Sequence, residues 1–287
     1  MIGLGVMGGP MAANLVKAGF DVVGHNRSRS PVDRLVEAGG RAAEGVADLA
    51  RQADVIITVL PDTPDVEGVV LGAEGVLAHA RRGSQLIDMS TVDPGLAVQI
   101  DAAARERGIR SLDAPVSGGE KGAIDATLAI MVGGDAESFD LARPVLVALG
   151  STVIHVGSAG AGQTVKAANQ LLVGGIIELV AEAIVFLESY DVALEPAIEV
   201  LSGGLAGSRV LERKARMMVA REFSPSFRAQ LHHKDMGIVL RAARQAGVTL
   251  PLGALVGQLF TALTTQGGGM LDHSALIRVL DSMSDPR

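Results

Sequence analysis

Lys166 and Asn169 stand three residues apart in Gly162-Gln163-Thr164-Val165-Lys166-Ala167-Ala168-Asn169-Gln170, a spacing that puts both on one helix face. Their neighbours are small or apolar, so a lysine turned inward needs a reason; an ordinary solvated lysine is the competing reading. Near a helix N-terminus, burial and the positive end of the macrodipole would both lower the ammonium pKa toward the range of a general acid. A second chemical segment is Asp113-Ala114-Pro115-Val116-Ser117-Gly118-Gly119. Ser117 offers a hydroxyl, and Gly118 and Gly119 leave backbone N–H groups open to a small anion such as a carboxylate. The alternative there is a loop that only needs glycine dihedrals.

The chain opens on Gly3-Leu4-Gly5-Val6-Met7-Gly8. This Gly-x-Gly-x-x-Gly spacing suits a strand-to-helix turn whose helix N-terminus receives a pyrophosphate. It is weak evidence alone, because the chain has 36 glycines. Where an NAD-binding unit carries an acidic residue after its second strand, this chain has Asn26-Arg27-Ser28. Arg27 can pair with a 2′-phosphate and Ser28 can donate to it, so the expected cofactor is NADP, with NAD less favoured. An ordinary solvated loop is the alternative. Leu60-Pro61 and Asp88-Met89-Ser90-Thr91 end later predicted strands, where ligands of parallel sheets bind. Thr91 is the candidate neighbour of the nicotinamide ribose or carboxamide; Ser90 and Thr91 could also be helix caps ahead of Pro94.

These segments need a scaffold, and the patterning supplies one. Helical periods at Met11–Ala18, Pro31–Ala38, Gly45–Gln52, Pro94–Arg107 and Ala136–Leu149 are interleaved with predicted strands. The strands fall at Asp21–His25, Val55–Val59, Gln85–Met89, Ile109–Asp113, Thr127–Val132 and Thr152–Val156. That alternation predicts an α/β Rossmann-type domain with a doubly wound, mostly parallel sheet over residues 1–158. From 159 to 287 the period is helical throughout, so an all-α domain is expected, opened by a helix of about 25–28 residues. A strand of about five residues usually precedes such a glycine turn. Only Met1 and Ile2 stand before Gly3, so the expectation is a chain that begins inside its first strand.

Composition narrows the function classes. The net charge of −7 lacks a basic run, and aromatics are six Phe and one Tyr. Nucleic-acid capture or base stacking is therefore not expected. Without cysteine there is no disulfide, thiolate catalysis or Cys-based zinc site, and adjacent His232 and His233 point in different helical directions, so no metal is expected. Leu171–Leu187 carries Glu178 and Glu182 at helical spacing and reads as a buried or interfacial helix, not a membrane span. No signal segment is visible, which makes the cytoplasm the default.

Together the glycine turn, Asp113–Leu128, Gly162–Gln170 and Lys234-Asp235 resemble, in order and across nearly the whole chain, the β-hydroxyacid dehydrogenase family, which includes the 3-hydroxyisobutyrate dehydrogenases. Gly203-Gly204-Leu205-Ala206-Gly207-Ser208 and Leu271-Asp272-His273-Ser274-Ala275-Leu276 are most similar to its 2-hydroxy-3-oxopropionate (tartronate semialdehyde) reductase branch. The resemblance implies Lys166 as general acid/base, Ser117, Gly118, Gly119 and Asn169 as substrate contacts, and Lys234 beside the nicotinamide. It also implies a homodimer or homotetramer built through the helical domain. The implied substrate is a short semialdehyde or hydroxy acid; 3-hydroxyisobutyrate dehydrogenase and succinic semialdehyde reductase are the rivals. Imine reduction on the same scaffold is disfavoured by Lys166, and a silent dinucleotide-binding module by Lys166 with Asn169. One departure is Ala126, where the family usually has glycine before Thr127-Leu128; it is either harmless or crowds a turn.

Overall fold

The computed structural model describes residues 1–284. The chain divides into one compact unit, Met1–Lys166, and a second from Ala167 onward.

The first unit is built on eight strands: β1 (Val23–Gly24), β2 (Arg41–Ala42), β3 (Val55–Thr58), β4 (Gln85–Asp88), β5 (Arg110–Asp113), β6 (Val116–Ser117), β7 (Ala129–Gly134) and β8 (Thr152–Gly157). β3, β4 and β5 pair in parallel, as do β1 with β2 and β7 with β8. Ile2 bridges in parallel to both His25 and Thr58, joining the β1–β2 pair to the larger sheet. Ile56, Ile57, Leu86, Ile87 and Leu112 are buried, as expected of strands covered by helices on both faces.

The alternation of strand and helix is realised, with shifts of a few residues at element ends. The first helix starts at Gly8, inside the fingerprint, and ends at Lys17. Two departures from pure alternation arise after β5. Val116–Ser117 turns back as a short strand, and β7 runs antiparallel to both β5 and β6. Pro115 accepts from Met131 N–H across this corner. The helices Thr63–Leu71 and Val76–His79 were also not expected from the sequence.

The second unit is helical: the remainder of Ala161–Ser189, then Leu194–Gly203, Arg209–Ala220, Ala229–Gln245, Pro251–Thr265 and Ile277–Met283. The long helix has 29 residues. By length and composition alone it could cross a bilayer, yet Ile177, Val180, Ala181 and Ile184 are buried in the helical core with Met218, Met236, Val256 and Phe260. The Leu271–Leu276 segment forms a buried knot. Asp272 receives Lys214 Nζ at 2.8 and 2.9 Å and the Ser226 and Phe227 backbone N–H groups, and caps the turn His273–Leu276. That segment therefore holds helices together in this unit.

Candidate active site

The glycine turn leaves β-sheet pairing at Gly3 and enters the helix Gly8–Lys17. Gly3 has φ +90°, and a Cβ there would strike the Val59 carbonyl; a Cβ on Gly8 would strike Gly3 O. Those two glycines are required by the protein's own backbone. Gly5 differs: a Cβ on it would meet nothing within 4 Å. Its lack of a side chain leaves open space in front of a ten-residue helix N-terminus, which fits a dinucleotide pyrophosphate.

Asn26, expected as a cofactor contact, has a second task. Its Oδ1 accepts the Leu4 N–H at 3.0 Å, and its Nδ2 donates to Ser28 Oγ at 2.9 Å. It thereby ties the glycine turn to the end of β1. Arg27 projects outward, its side chain 85% exposed, with Asp65 at 3.7 Å. The ends of β3 and β4 are also tied together. Thr58 Oγ1 and Ser90 Oγ both donate to Asp88 Oδ1, at 2.7 and 2.6 Å, and Ser90 Oγ accepts the Leu60 N–H at 2.9 Å. Burial pushes the Asp88 carboxyl above its usual range. Ser90 is therefore a brace between strand ends. Neither it nor Thr91 caps the following helix: Asp93 does, accepting the Gly95 N–H at 2.9 Å.

Lys166 is buried, 7% exposed, and its helix is anchored within the first unit. Asp113, at the end of β5, accepts the Gly160 N–H on Oδ1 and the Gln163 N–H on Oδ2, each at 2.8 Å. This satisfies donors that a helix start leaves without intrahelical partners. Burial pushes the Asp113 carboxyl up, while these backbone N–H groups hold it down. The Gln163 side chain then grips the loop after β4, donating to Ser90 O at 2.8 Å and accepting the Val92 N–H at 3.1 Å. Lys166 follows one turn later. Three residues beyond Asp113, β6 begins and leads to Ser117, half-buried, and to Gly118 and Gly119, exposed with φ +143° and +68°. A Cβ on Gly119 would meet nothing within 4 Å.

In the second unit, Asn169 Nδ2 donates to Gln170 Oε1 at 2.8 Å, and Gln170 Nε2 donates to Asp235 Oδ2 at 2.6 Å. Lys234 Nζ lies 3.1 Å from Asp235 Oδ1. Asn169 and Lys234 are thus joined through two residues that sequence reasoning left without a role. Gln163 was missed similarly. The available signal was polarity inside an apolar stretch: Gln163 and Gln170 are 1% and 4% exposed.

Two family models cover nearly the whole chain. Residues 1–157 match the NAD-binding domain of 6-phosphogluconate dehydrogenase, and residues 160–280 match the NAD-binding region of NADP-dependent 3-hydroxyisobutyrate dehydrogenase. The chain belongs to the 3-hydroxyisobutyrate dehydrogenase-related β-hydroxyacid dehydrogenase family. It is 39% identical to 2-hydroxy-3-oxopropionate reductase of Escherichia coli, over 99% of this chain and 97% of that one. It is also 39% identical to the NAD-dependent L-serine dehydrogenase of Pseudomonas aeruginosa, over 98% and 96%. Among solved structures, Mycobacterium tuberculosis 3-hydroxyisobutyrate dehydrogenase with L-serine superposes with a TM-score of 0.89 at 34% identity, covering 97% of each chain. The protein is an NAD(P)-dependent β-hydroxyacid dehydrogenase with a Rossmann-type N-terminal domain and a helical C-terminal domain.

Proposed function

We propose that this dehydrogenase reduces a short semialdehyde acid, tartronate semialdehyde (2-hydroxy-3-oxopropionate), to glycerate, with NADPH as the preferred reductant. The observation carrying the reaction is a buried Lys166 on a helix start clamped by Asp113 and Gln163. A buried ammonium so held can deliver one proton with little reorganisation. When bound, the reduced nicotinamide supplies a hydride to the aldehyde carbon. Lys166 donates its proton to the aldehyde oxygen as negative charge develops there. Ser117 and the Gly118 and Gly119 N–H groups are assigned to the carboxylate, Asn169 to a substrate hydrogen bond, and Lys234 to the nicotinamide.

Cofactor preference rests on Arg27, exposed after β1 and free of strong competition from Asp65 at 3.7 Å. Gly3, Leu4, Gly5, Val6, Met7 and Gly8 line the pyrophosphate position, with Leu60, Pro61 and Thr91 toward the nicotinamide half. Tartronate semialdehyde is favoured by the Escherichia coli relative and by the Gly203–Ser208 and Leu271–Leu276 segments. A second reading, oxidation of L-serine with NAD, draws on the Pseudomonas relative of equal identity. We place the enzyme in the cytoplasm as a homo-oligomer. Supporting the latter, Leu172, Leu179 and Phe186 are exposed at seven-residue spacing along the long helix, followed by Tyr190.

The test is one preparation assayed with NADPH and NADH on tartronate, methylmalonate and succinate semialdehydes, and with L-serine in the oxidative direction. The highest kcat/KM is expected for tartronate semialdehyde with NADPH. Highest efficiency with L-serine and NAD would replace the first reading by the second. Lys166→Ala should lower kcat by about 10²–10⁴-fold, with the NADPH dissociation constant changed less than about twofold; an unchanged kcat removes Lys166 from its role.

A further inference from the structure

We propose that Asp235 is a positioning residue that fixes the orientation of the Asn169 amide through Gln170. The inference rests on the reading of Asn169 as a substrate contact and extends it to how that contact is set. The polarity follows from what each group can do. An ionised carboxylate only accepts hydrogen bonds. Gln170 must therefore turn its amino group to Asp235 Oδ2, where Nε2 lies at 2.6 Å. Its carbonyl Oε1 is then left for Asn169, and Oε1 only accepts, so Asn169 must turn its amino group inward, where Nδ2 lies at 2.8 Å. Each link removes the choice from the next one, and the charge at the far end sets the sequence. A side-chain amide would otherwise choose between two flips of similar shape.

Gln170 is held at its backbone as well. Its carbonyl oxygen lies 3.1 Å from His232 Nε2, which must donate because a carbonyl cannot. His232 Nδ1 then accepts from His273 Nδ1 at 2.9 Å. With main chain and side chain both fixed, Gln170 transmits orientation instead of absorbing it. Asp235 Oδ1 meanwhile pairs with Lys234 Nζ at 3.1 Å, so one carboxylate holds the two second-unit residues assigned to substrate and cofactor. Asp235 is 3% exposed and Gln170 4%, which keeps water from substituting for either link.

The test uses the full-length enzyme and exploits a swap. In Asp235→Asn the amide oxygen stays with Lys234 Nζ and the amino group faces Gln170, so the direction is reversed. Gln170→Glu sets two carboxylates against each other. In the double variant Gln170→Glu/Asp235→Asn, Asn at 235 donates to Glu at 170, and the other Glu oxygen accepts from Asn169, so the inward direction is restored at unchanged net charge. The chain has three asparagines, Asn14, Asn26 and Asn169, and Asp235→Asn adds a fourth, so asparagine-selective ¹⁵N labelling with the Asn169 signal assigned in each variant resolves its side-chain amide. Its protons are expected to exchange slowly in the wild type, faster by about tenfold or more in each single variant, and slowly again in the double variant. KM for the semialdehyde should follow the same order, rising about tenfold in the single variants. NADPH titration reports separately on the Lys234 pairing. Unchanged amide exchange in folded Asp235→Asn, or a folded double variant without recovery, overturns the proposal. Asn169→Ala with wild-type KM would instead remove the substrate-contact reading, while the exchange measurement still decides what orients Asn169.

Discussion

Asp113 Oδ2 accepts the backbone N–H of Gln163 at 2.8 Å, so the end of a β-strand supplies the anchor for the helix start that carries Lys166. The two residues are 50 apart in sequence. The same strand end continues into Ser117-Gly118-Gly119, so the segment proposed to hold the carboxylate and the helix proposed to supply the proton share one buried carboxylate. Asp113→Asn keeps the shape but turns an amino group toward one of two N–H donors. A hydrogen bond to a charged group contributes about 1.5–3 kcal/mol. The variant should melt earlier and lose about tenfold or more in kcat, with NADPH affinity nearly unchanged. Wild-type melting and kcat would show that the anchor does not matter.

Arg27 tests the cofactor. Its side chain is 85% exposed and its contact with Asp65 is long, so its removal should leave the fold untouched. Arg27→Ala is expected to weaken NADPH binding about tenfold, with NADH changed less than about twofold. Equal losses for both cofactors would refute a 2′-phosphate contact.

Glu178 sits 2% exposed, and its Oε2 has no hydrogen-bond partner among the described residues. Burial, with the Glu182 charge behind it, pushes its carboxyl up to about 7. The folded state therefore keeps a proton that the unfolded chain has lost between its ordinary value near 4.5 and about 7. Stability falls as pH rises through that window, and the full cost stands above it. Glu178→Gln removes the titration. It should stabilise the fold at pH 8 by on the order of 1 kcal/mol after allowing for solvent screening, read as a higher melting temperature, and change little at pH 5. A gain of equal size at both pH values would contradict the assignment.

Ala126 has φ +54°, in the left-handed region where a Cβ is disfavoured. Where the family usually has glycine, the backbone adopts a dihedral that glycine accommodates more easily. Relief of that strain, about 1–2 kcal/mol, outweighs the added freedom of an unfolded glycine, about 0.4–1 kcal/mol. Ala126→Gly should stabilise the protein by up to about 1 kcal/mol in denaturant melts; a loss of stability would place the strain elsewhere.

Leu179 lies at the middle of the exposed apolar row on the long helix, 55% exposed. Leu179→Glu should shift the mass measured by light scattering from a multiple of 29.5 kDa toward the single chain. An unchanged mass would move the interface off this face.

What the sequence determined by itself was local. Gly3, Gly5 and Gly8 declare a turn because their spacing and lack of side chains are properties of one short segment. The long helix was legible from a single apolar period, and the placing of Lys166 and Asn169 on it from the same pattern. The tertiary structure decided the rest, because the partners lie far apart along the chain. β7 turned antiparallel through pairing with β5 and β6, which no local pattern encodes. Asn26 proved a tether of the glycine turn only when Leu4 was brought to it across 22 residues. Asp113 to Gln163, and Gln170 to Asp235 across 65 residues, gained meaning only once folding had excluded water from them. A polar side chain in a sequence can accept or donate to anything nearby; burial removes the solvent alternative, and the protein partners within reach fix what it does.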